Sequence, residues 1–251
     1  MAKIVAVANQ KGGVGKTTTS VNLTAAIHGL GKKVLLVDFD PQGNSTSGMG
    51  VSKRSNPTAH DVVLGDAGAR DAAIKLPYGW LIPANADLSG AEVELTNLPR
   101  REFRLREALE DIRDDYDYIF IDCPPSLGLL TLNAFTAADS LLVPLQCEYY
   151  AMEGLADLTT SVKLANKRLN KNLYIEGILL TMYDARLNFC AQVARELRDY
   201  FGSRVYDTVI PRNVRLAEAP SHGRPVTAYD PASKGSRAYK AAAAEFLRRQ
   251  G

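Results

Sequence analysis

Short apolar runs alternate with stretches of helical spacing almost from end to end of the chain. That alternation predicts successive β-α-β units, whose strands lie parallel. KIVAVA (3–8) reads as a buried first strand, Thr17 to Leu30 as the helix after it, and Gly31 as that helix's stop. KVLLVD (33–38) is the second strand. Residues 41–59 are dense in Gly, Ser, Asn and Pro and predict a long mobile loop. REFRLREALEDIRDDY (101–116) has amphipathic spacing and precedes a strand, YIFID (118–122). SLLVPLQ (140–146), YIEGILLTM (174–182) and RVYDTVI (204–210) read as further strands, with outer helices at 191–201 and 232–250. The expected architecture is an α/β fold: a mostly parallel twisted sheet flanked by helices on both faces, in one domain spanning 1–251.

Composition narrows the class. A chain of 251 residues with 46% hydrophobic residues can bury a sizeable core. Cys123, Cys147 and Cys190 are scattered without C-x-x-C spacing. That argues against a disulfide framework or a cysteine-rich metal site and suits a reducing cytosol. The first apolar run is too short for a signal peptide, and no run approaches the roughly 18 apolar residues of a membrane span. The net charge of +2 hides an asymmetry: residues 186–251 carry 12 Lys+Arg against 6 Asp+Glu, net +6, leaving −4 for the rest. A basic last quarter on a near-neutral protein points to a polyanion partner or to a solvated basic surface.

The chemistry is concentrated in NQKGGVGKTTTS (9–20). It nearly fits the phosphate-loop pattern G-x-x-x-x-G-K-[ST], with Gln10 where the leading glycine belongs and an added Lys11. A strand, a glycine-rich turn and a helix N-terminus together present unpaired N–H groups to an anion. Gly12, Gly13 and Gly15 let the chain curl around phosphates, Lys16 reaches the β and γ oxygens, and the Thr17 hydroxyl suits Mg²⁺. Lys11 is either solvated or aimed at charge outside its own loop, such as a nucleotide held by a facing copy. Asp38 and Asp40 lie two apart, so on an extended strand they point the same way, where α/β ligands bind. Asp122 ends the apolar run 118–122 and suits Mg²⁺ held through water, while Pro124-Pro125 stiffen the segment beyond it. Cys123 reads as a small packed residue.

KGGVGKT is a deviant Walker A motif, and on it the chain resembles the ParA-type ATPases of chromosome and plasmid partitioning, in the Soj branch. The wider group includes MinD and the nitrogenase iron protein. The resemblance spans nearly the whole chain, including QCEYYAMEGL (146–155) and EAPSHGRPV (218–226), segments to which we assign only loop and interface packing. It implies a P-loop fold, ATP and Mg²⁺ as cofactors, and slow ATP hydrolysis stimulated by a ParB-like protein. Lys11 would touch the partner's nucleotide in an ATP-sandwich homodimer. Lys11, Gly12, Gly13, Val14, Gly15, Lys16, Thr17 and Thr18 would bind nucleotide. Asp40 would orient the attacking water beside Lys11 and Lys16. Thr17, Asp40 and Asp122 would serve the metal. Pro211 would lie on adenine, Asn213 would hydrogen-bond it, and Met182 would add an apolar contact.

The resemblance also implies non-specific binding of double-stranded DNA through Arg186 and Arg215, hence a cytoplasmic, nucleoid-associated protein in its ATP state. Lys234, Arg237, Lys240, Arg248 and Arg249, on or near the last helix, extend the basic surface. With strand one at residue 3 no N-terminal helix-turn-helix is expected, and so no operator specificity. A MinD-like membrane role would want a bulky amphipathic tail; SRAYKAAAAEFLRRQG is alanine-rich, so no membrane partner is expected. The cysteines lack iron–sulfur spacing, and no acceptor-substrate motif marks a metabolic ligase or kinase.

Overall fold

The computed structural model describes residues 1–148 and 151–251. Its sheet has seven strands among the described residues: β1 (Lys3–Val7), β2 (Val34–Asp38), β3 (Ile74–Leu76), β4 (Gly79–Ile82), β5 (Tyr118–Asp122), β6 (Ser140–Gln146) and β7 (Tyr174–Thr181). Their spatial order is β3-β4-β2-β5-β1-β6-β7. Every pairing is parallel except β3 with β4.

Strand residues alternate between two buried clusters, which is why the central strands are apolar throughout. Ile4 and Ala6 of β1, Leu35 and Val37 of β2, and Ile119 and Ile121 of β5 enter one cluster. Val5 and Val7, Val34 and Leu36, and Phe120 enter the other. Helices α1 (Lys16–His28), α11 (Val226–Tyr229) and α12 (Lys234–Arg249) cover the second face. The first is covered by α3 (Ala59–Leu64), α5 (Leu88–Thr96), α6 (Arg104–Glu110), α7 (Leu129–Ala137), α8 (Ala151–Arg168) and α9 (Asn188–Phe201). Short helices α2 (Asn44–Gly48), α4 (Ala69–Ala72) and α10 (Val214–Glu218) fill connections.

Three expectations change. Residues 41–59, expected as one long mobile loop, contain α2, and Ser45 and Thr46 in it are fully buried. Their polar groups are spent on a carboxylate, since the Thr46 N–H and hydroxyl both donate to Asp38 Oδ2 at 2.7 Å. RVYDTVI forms no strand. Tyr206 N–H reaches Ile178 O at 2.9 Å and Ile210 N–H reaches Leu180 O at 2.8 Å, as an eighth strand would. Between them the Glu245 carboxylate of α12 takes the N–H groups of Asp207 and Thr208, both at 2.9 Å, and breaks the ladder. The helix read over 101–116 is only α6 followed by a 3-10 turn at Arg113–Asp115. The strands β3 and β4 and the helices α5, α7 and α8 were not anticipated at all.

Candidate active site

The carboxyl ends of β1, β2, β5 and β7 meet at one edge of the sheet, and the loop between β1 and α1 lies across them. Gly13 and Gly15 take left-handed φ values of 75° and 88°, and Gly15 is the N-cap of α1 without a side-chain cap. The first N–H groups of the helix are thereby left to a ligand. Thr181, at the end of β7, donates its hydroxyl to Val14 O at 2.7 Å and pins the loop from beneath. Asn9 anchors the loop's entry: Nδ2 donates to Pro144 O at 2.8 Å and Oδ1 accepts the Lys11 N–H at 3.0 Å.

Lys16 is buried, and its Nζ donates to Lys11 O at 3.1 Å, folded back into the loop. Burial lowers its pKa, opposed by the charges of Asp122 and Asp40. Lys11 stands on the rim with its side chain 44% exposed and pairs with Glu148 of its own chain. Gln10 donates to Ser161 of α8 at 3.2 Å, so the glycine replacement ties the loop to a neighbouring helix.

Three hydroxyls converge on Asp122. Ser20 and Ser45 donate to its two oxygens at 3.0 and 2.8 Å, and the Thr17 hydroxyl supports its ionised form. Asp38 pairs with Asp122 across the sheet register and is equally buried. Burial drives the pKa of both carboxylates upward; the charge of Asp122 adds to the rise at Asp38. β2 ends at Asp38, so the strand geometry that put Asp38 and Asp40 side by side does not extend to Asp40. Asp38 is spent on Thr46. Asp40 accepts the Gln42 N–H on Oδ1 at 2.9 Å and keeps its second oxygen for other work.

No group of three or more His, Cys, Asp or Glu able to hold a metal occurs among the described residues. A phosphate-loop Mg²⁺ does not need one, because phosphate oxygens, one hydroxyl and water-bridged carboxylate supply its ligands. The donor set fits that ion: Thr17 stands at the helix start, Asp122 stands behind it, and buried carboxylates outnumber the single cation Lys16. Cys123 is buried and its thiol pKa is pushed up by burial, so it is a packing residue as expected.

Beside Gly15 and Thr18 opens a cavity of about 240 Å³ whose exposed lining is mostly apolar. Met182, Pro211 and Asn213 all line it, so the structure brings residues more than 160 positions beyond the phosphate loop onto one wall beside it. Ile210, Leu216 and Tyr239 complete the wall and were missed. Met182 holds a left-handed φ of 49°, rare for a side-chain-bearing residue and located at the cavity mouth. Asn213 is the N-cap of α10: its Oδ1 accepts the Arg215 N–H at 3.0 Å.

Arg186 and Arg215 both lie beyond this wall, but neither is a bare charge. Asp184 clasps Arg186 through Nε and Nη2 at 2.9 and 2.7 Å. Arg215 reaches Glu218 at 2.7 Å and Asp230 at 3.3 Å. Arg212 was overlooked; it lines a neighbouring cavity of about 660 Å³ with Arg186 and Lys234, and has no ion pair among the described residues. Arg248 and Arg249 do not join this surface. They line a cavity with Lys3 and Tyr174, the first residues of β1 and β7, at the opposite edge of the sheet. Arg249 is held there by Glu245 and by Ser203 O, and lies over the Tyr206 ring at 4.1 Å.

Comparison with known proteins follows this geometry. A protein-family model for an AAA domain matches residues 2–175. The sporulation initiation inhibitor protein Soj of Bacillus subtilis is 56% identical over 242 residues, covering 95% of this chain and 96% of that protein. The chromosome partitioning protein ParA of Caulobacter vibrioides is 52% identical over 253 residues, covering 99% and 95%.

The chain belongs to the ParA/Soj family.

Among solved structures, cobyrinic acid a,c-diamide synthase from Mycobacterium smegmatis with bound ADP and magnesium superposes with a TM-score of 0.87 at 38% identity, covering 100% of this chain and 96% of that one. QCEYYAMEGL, shared ground for the resemblance, contains Tyr149 and Tyr150, which lie outside the described residues.

Proposed function

We propose that the protein is an ATP- and Mg²⁺-dependent dimerising ATPase, one domain throughout, that binds double-stranded DNA without sequence preference. It drives chromosome or plasmid partitioning with a ParB-like partner. The observation that carries this reading is the union, at one sheet edge, of the Lys16 loop, the hydroxyl-ringed Asp122 and the apolar cavity of Met182, Pro211 and Asn213.

Each residue's work follows from its place. The N–H groups from Gly12 to Thr18 and the Lys16 ammonium hold the phosphate oxygens, and the cavity takes the base. Thr17 and Asp122 would hold Mg²⁺, which when bound would neutralise phosphate charge. The free oxygen of Asp40 orients a water toward the γ-phosphate, and a ParB-like partner speeds an otherwise slow hydrolysis. Lys11, already on the rim, exchanges Glu148 for the nucleotide of a facing copy. Dimerisation sets two weak basic surfaces side by side, and bivalency raises DNA affinity without any new contact. The protein then works in the cytoplasm, on the nucleoid while ATP is bound.

A membrane role of the MinD kind has less support. The bulky residues of α12, Tyr239 and Phe246, are buried in the core, and no described helix is long and apolar enough to cross a membrane. A synthase role like that of the mycobacterial neighbour would need an acceptor-substrate site, for which the sequence carries no motif. The test is DNA retention and gel filtration with ATP, ADP or no nucleotide at two salt concentrations. Asp40→Ala with ATP runs as a dimer that retains DNA, and Arg186→Glu with Arg215→Glu keeps the dimer but releases DNA. Persistent monomer, or DNA retention indifferent to nucleotide and salt, overturns the reading.

A further inference from the structure

The segment 218–226, EAPSHGRPV, has had no role beyond packing. It lies against α2, the helix set by the phosphate site. Ser45 of α2 donates to Asp122, and Thr46 is clamped to Asp38. Two residues beyond α2, Gly50 meets Gly223 backbone to backbone, and each glycine has a left-handed φ, 81° and 59°. A Cβ on Gly50 would lie 2.6 Å from Gly223 O, and one on Gly223 would lie 2.8 Å from Gly50 Cα. Neither position tolerates any side chain without separating the two segments.

The partner segment is itself tied down on both sides of that contact. Val226 N–H donates to Asn22 Oδ1 at 2.6 Å, and Asn22 Nδ2 returns to α1 at Thr18 O, 2.8 Å. On the other side, Glu218 holds Arg215 and accepts the Tyr229 hydroxyl at 3.3 Å. A cavity of about 250 Å³, bordered by Thr17, Asn44, Pro220 and Arg224, lies between the segment and the phosphate loop. Contacts therefore run unbroken from Asp122 through Ser45 and the Gly50–Gly223 contact to Glu218 and Arg215.

We propose that the Gly50–Gly223 contact is a positioning device through which the occupancy of the phosphate site sets the placement of residues 212–226, and with them Arg215. The proposal rests on the nucleotide-binding reading above and adds its regulation. A packed contact transmits only if both ends have more than one arrangement, so the experiment reads the distal segment directly. Amide hydrogen exchange of peptides covering 212–226 is compared with Mg²⁺ plus a non-hydrolysable ATP analogue, with Mg²⁺ plus ADP, and without nucleotide. Equilibrium dialysis of the same samples reports nucleotide binding.

In the wild type, exchange in 212–226 differs between analogue and ADP. Gly223→Asn accepts the left-handed backbone but adds the clashing Cβ. It keeps nucleotide binding and ATP-dependent dimerisation while that exchange difference disappears. Gly31→Asn is the control: it follows the end of α1 with a φ of 86° and nothing within 4 Å of a Cβ, so its exchange follows nucleotide as in the wild type. Gly50→Ala makes the same clash from the other side should Gly223→Asn not fold. Identical exchange with analogue and ADP in the wild type overturns the device, as does a Gly223→Asn protein that still follows nucleotide. Failure of the wild type to bind nucleotide in dialysis sinks the parent reading as well.

Discussion

Asn213→Ser separates two jobs that one side chain holds. The Oδ1 atom caps α10 by accepting the Arg215 N–H at 3.0 Å, which leaves the Nδ2 group for a base in the cavity. Serine is as good an N-cap as asparagine, whereas alanine loses about 1 kcal/mol of helix capping. Serine therefore removes only the amide donor. One neutral hydrogen bond contributes about 0.5–1.5 kcal/mol net, so Kd for Mg·ATP rises about 2- to 13-fold. Titration calorimetry gives that ratio, and a thermal melt of the free protein gives stability in parallel. Asn213→Ser melts with the wild type; Asn213→Ala binds as weakly as serine and also melts about 2–4 °C lower. A serine variant that binds ATP as tightly as wild type refutes the base contact. A serine variant that melts like alanine refutes the assignment of the cap.

Gly177→Ala tests the packing that replaces the missing strand. A Cβ there runs into the Tyr206 ring, whose other face carries Arg249, so the ring cannot retreat; overpacking of this kind costs about 1–3 kcal/mol in urea melts. Adding Tyr206→Leu relieves most of that penalty, and an additive double mutant contradicts the geometry. The buried Asp38–Asp122 pair makes a pH prediction. Both pKa values are raised, mainly by burial, so between the ordinary carboxylate range and neutrality the folded state binds more protons than the unfolded one. Stability of the nucleotide-free protein from this pair is therefore present at low pH and lost as pH rises through that window. Asp38→Asn flattens the decline, and equal pH slopes in the two proteins refute the assignment. Asp184→Asn frees Arg186 from its clasp, so DNA retention strengthens and the salt dependence steepens by about one ion; unchanged retention places the DNA surface elsewhere.

The phosphate-loop pattern was legible in the sequence because it is written in contiguous residues. Residues 3–18 carry a strand, a glycine turn and a helix start in one contiguous stretch, and the apolar runs of β1, β2, β5 and β6 need only burial on both faces to become parallel strands. Tertiary structure decided what depends on a partner far away in the chain. Thr46 turned a polar stretch into a buried clamp because Asp38 stood across from it. Glu245 ended a would-be strand by taking two N–H groups from it. α7 is buried on nearly every side, Thr131, Asn133 and Thr136 included, and so showed no helical face, while β3 and β4 are too short for a period to register. Periodicity reports which face of a segment is buried, whereas the fate of a polar group depends on which hydrogen-bond partner the fold brings to it.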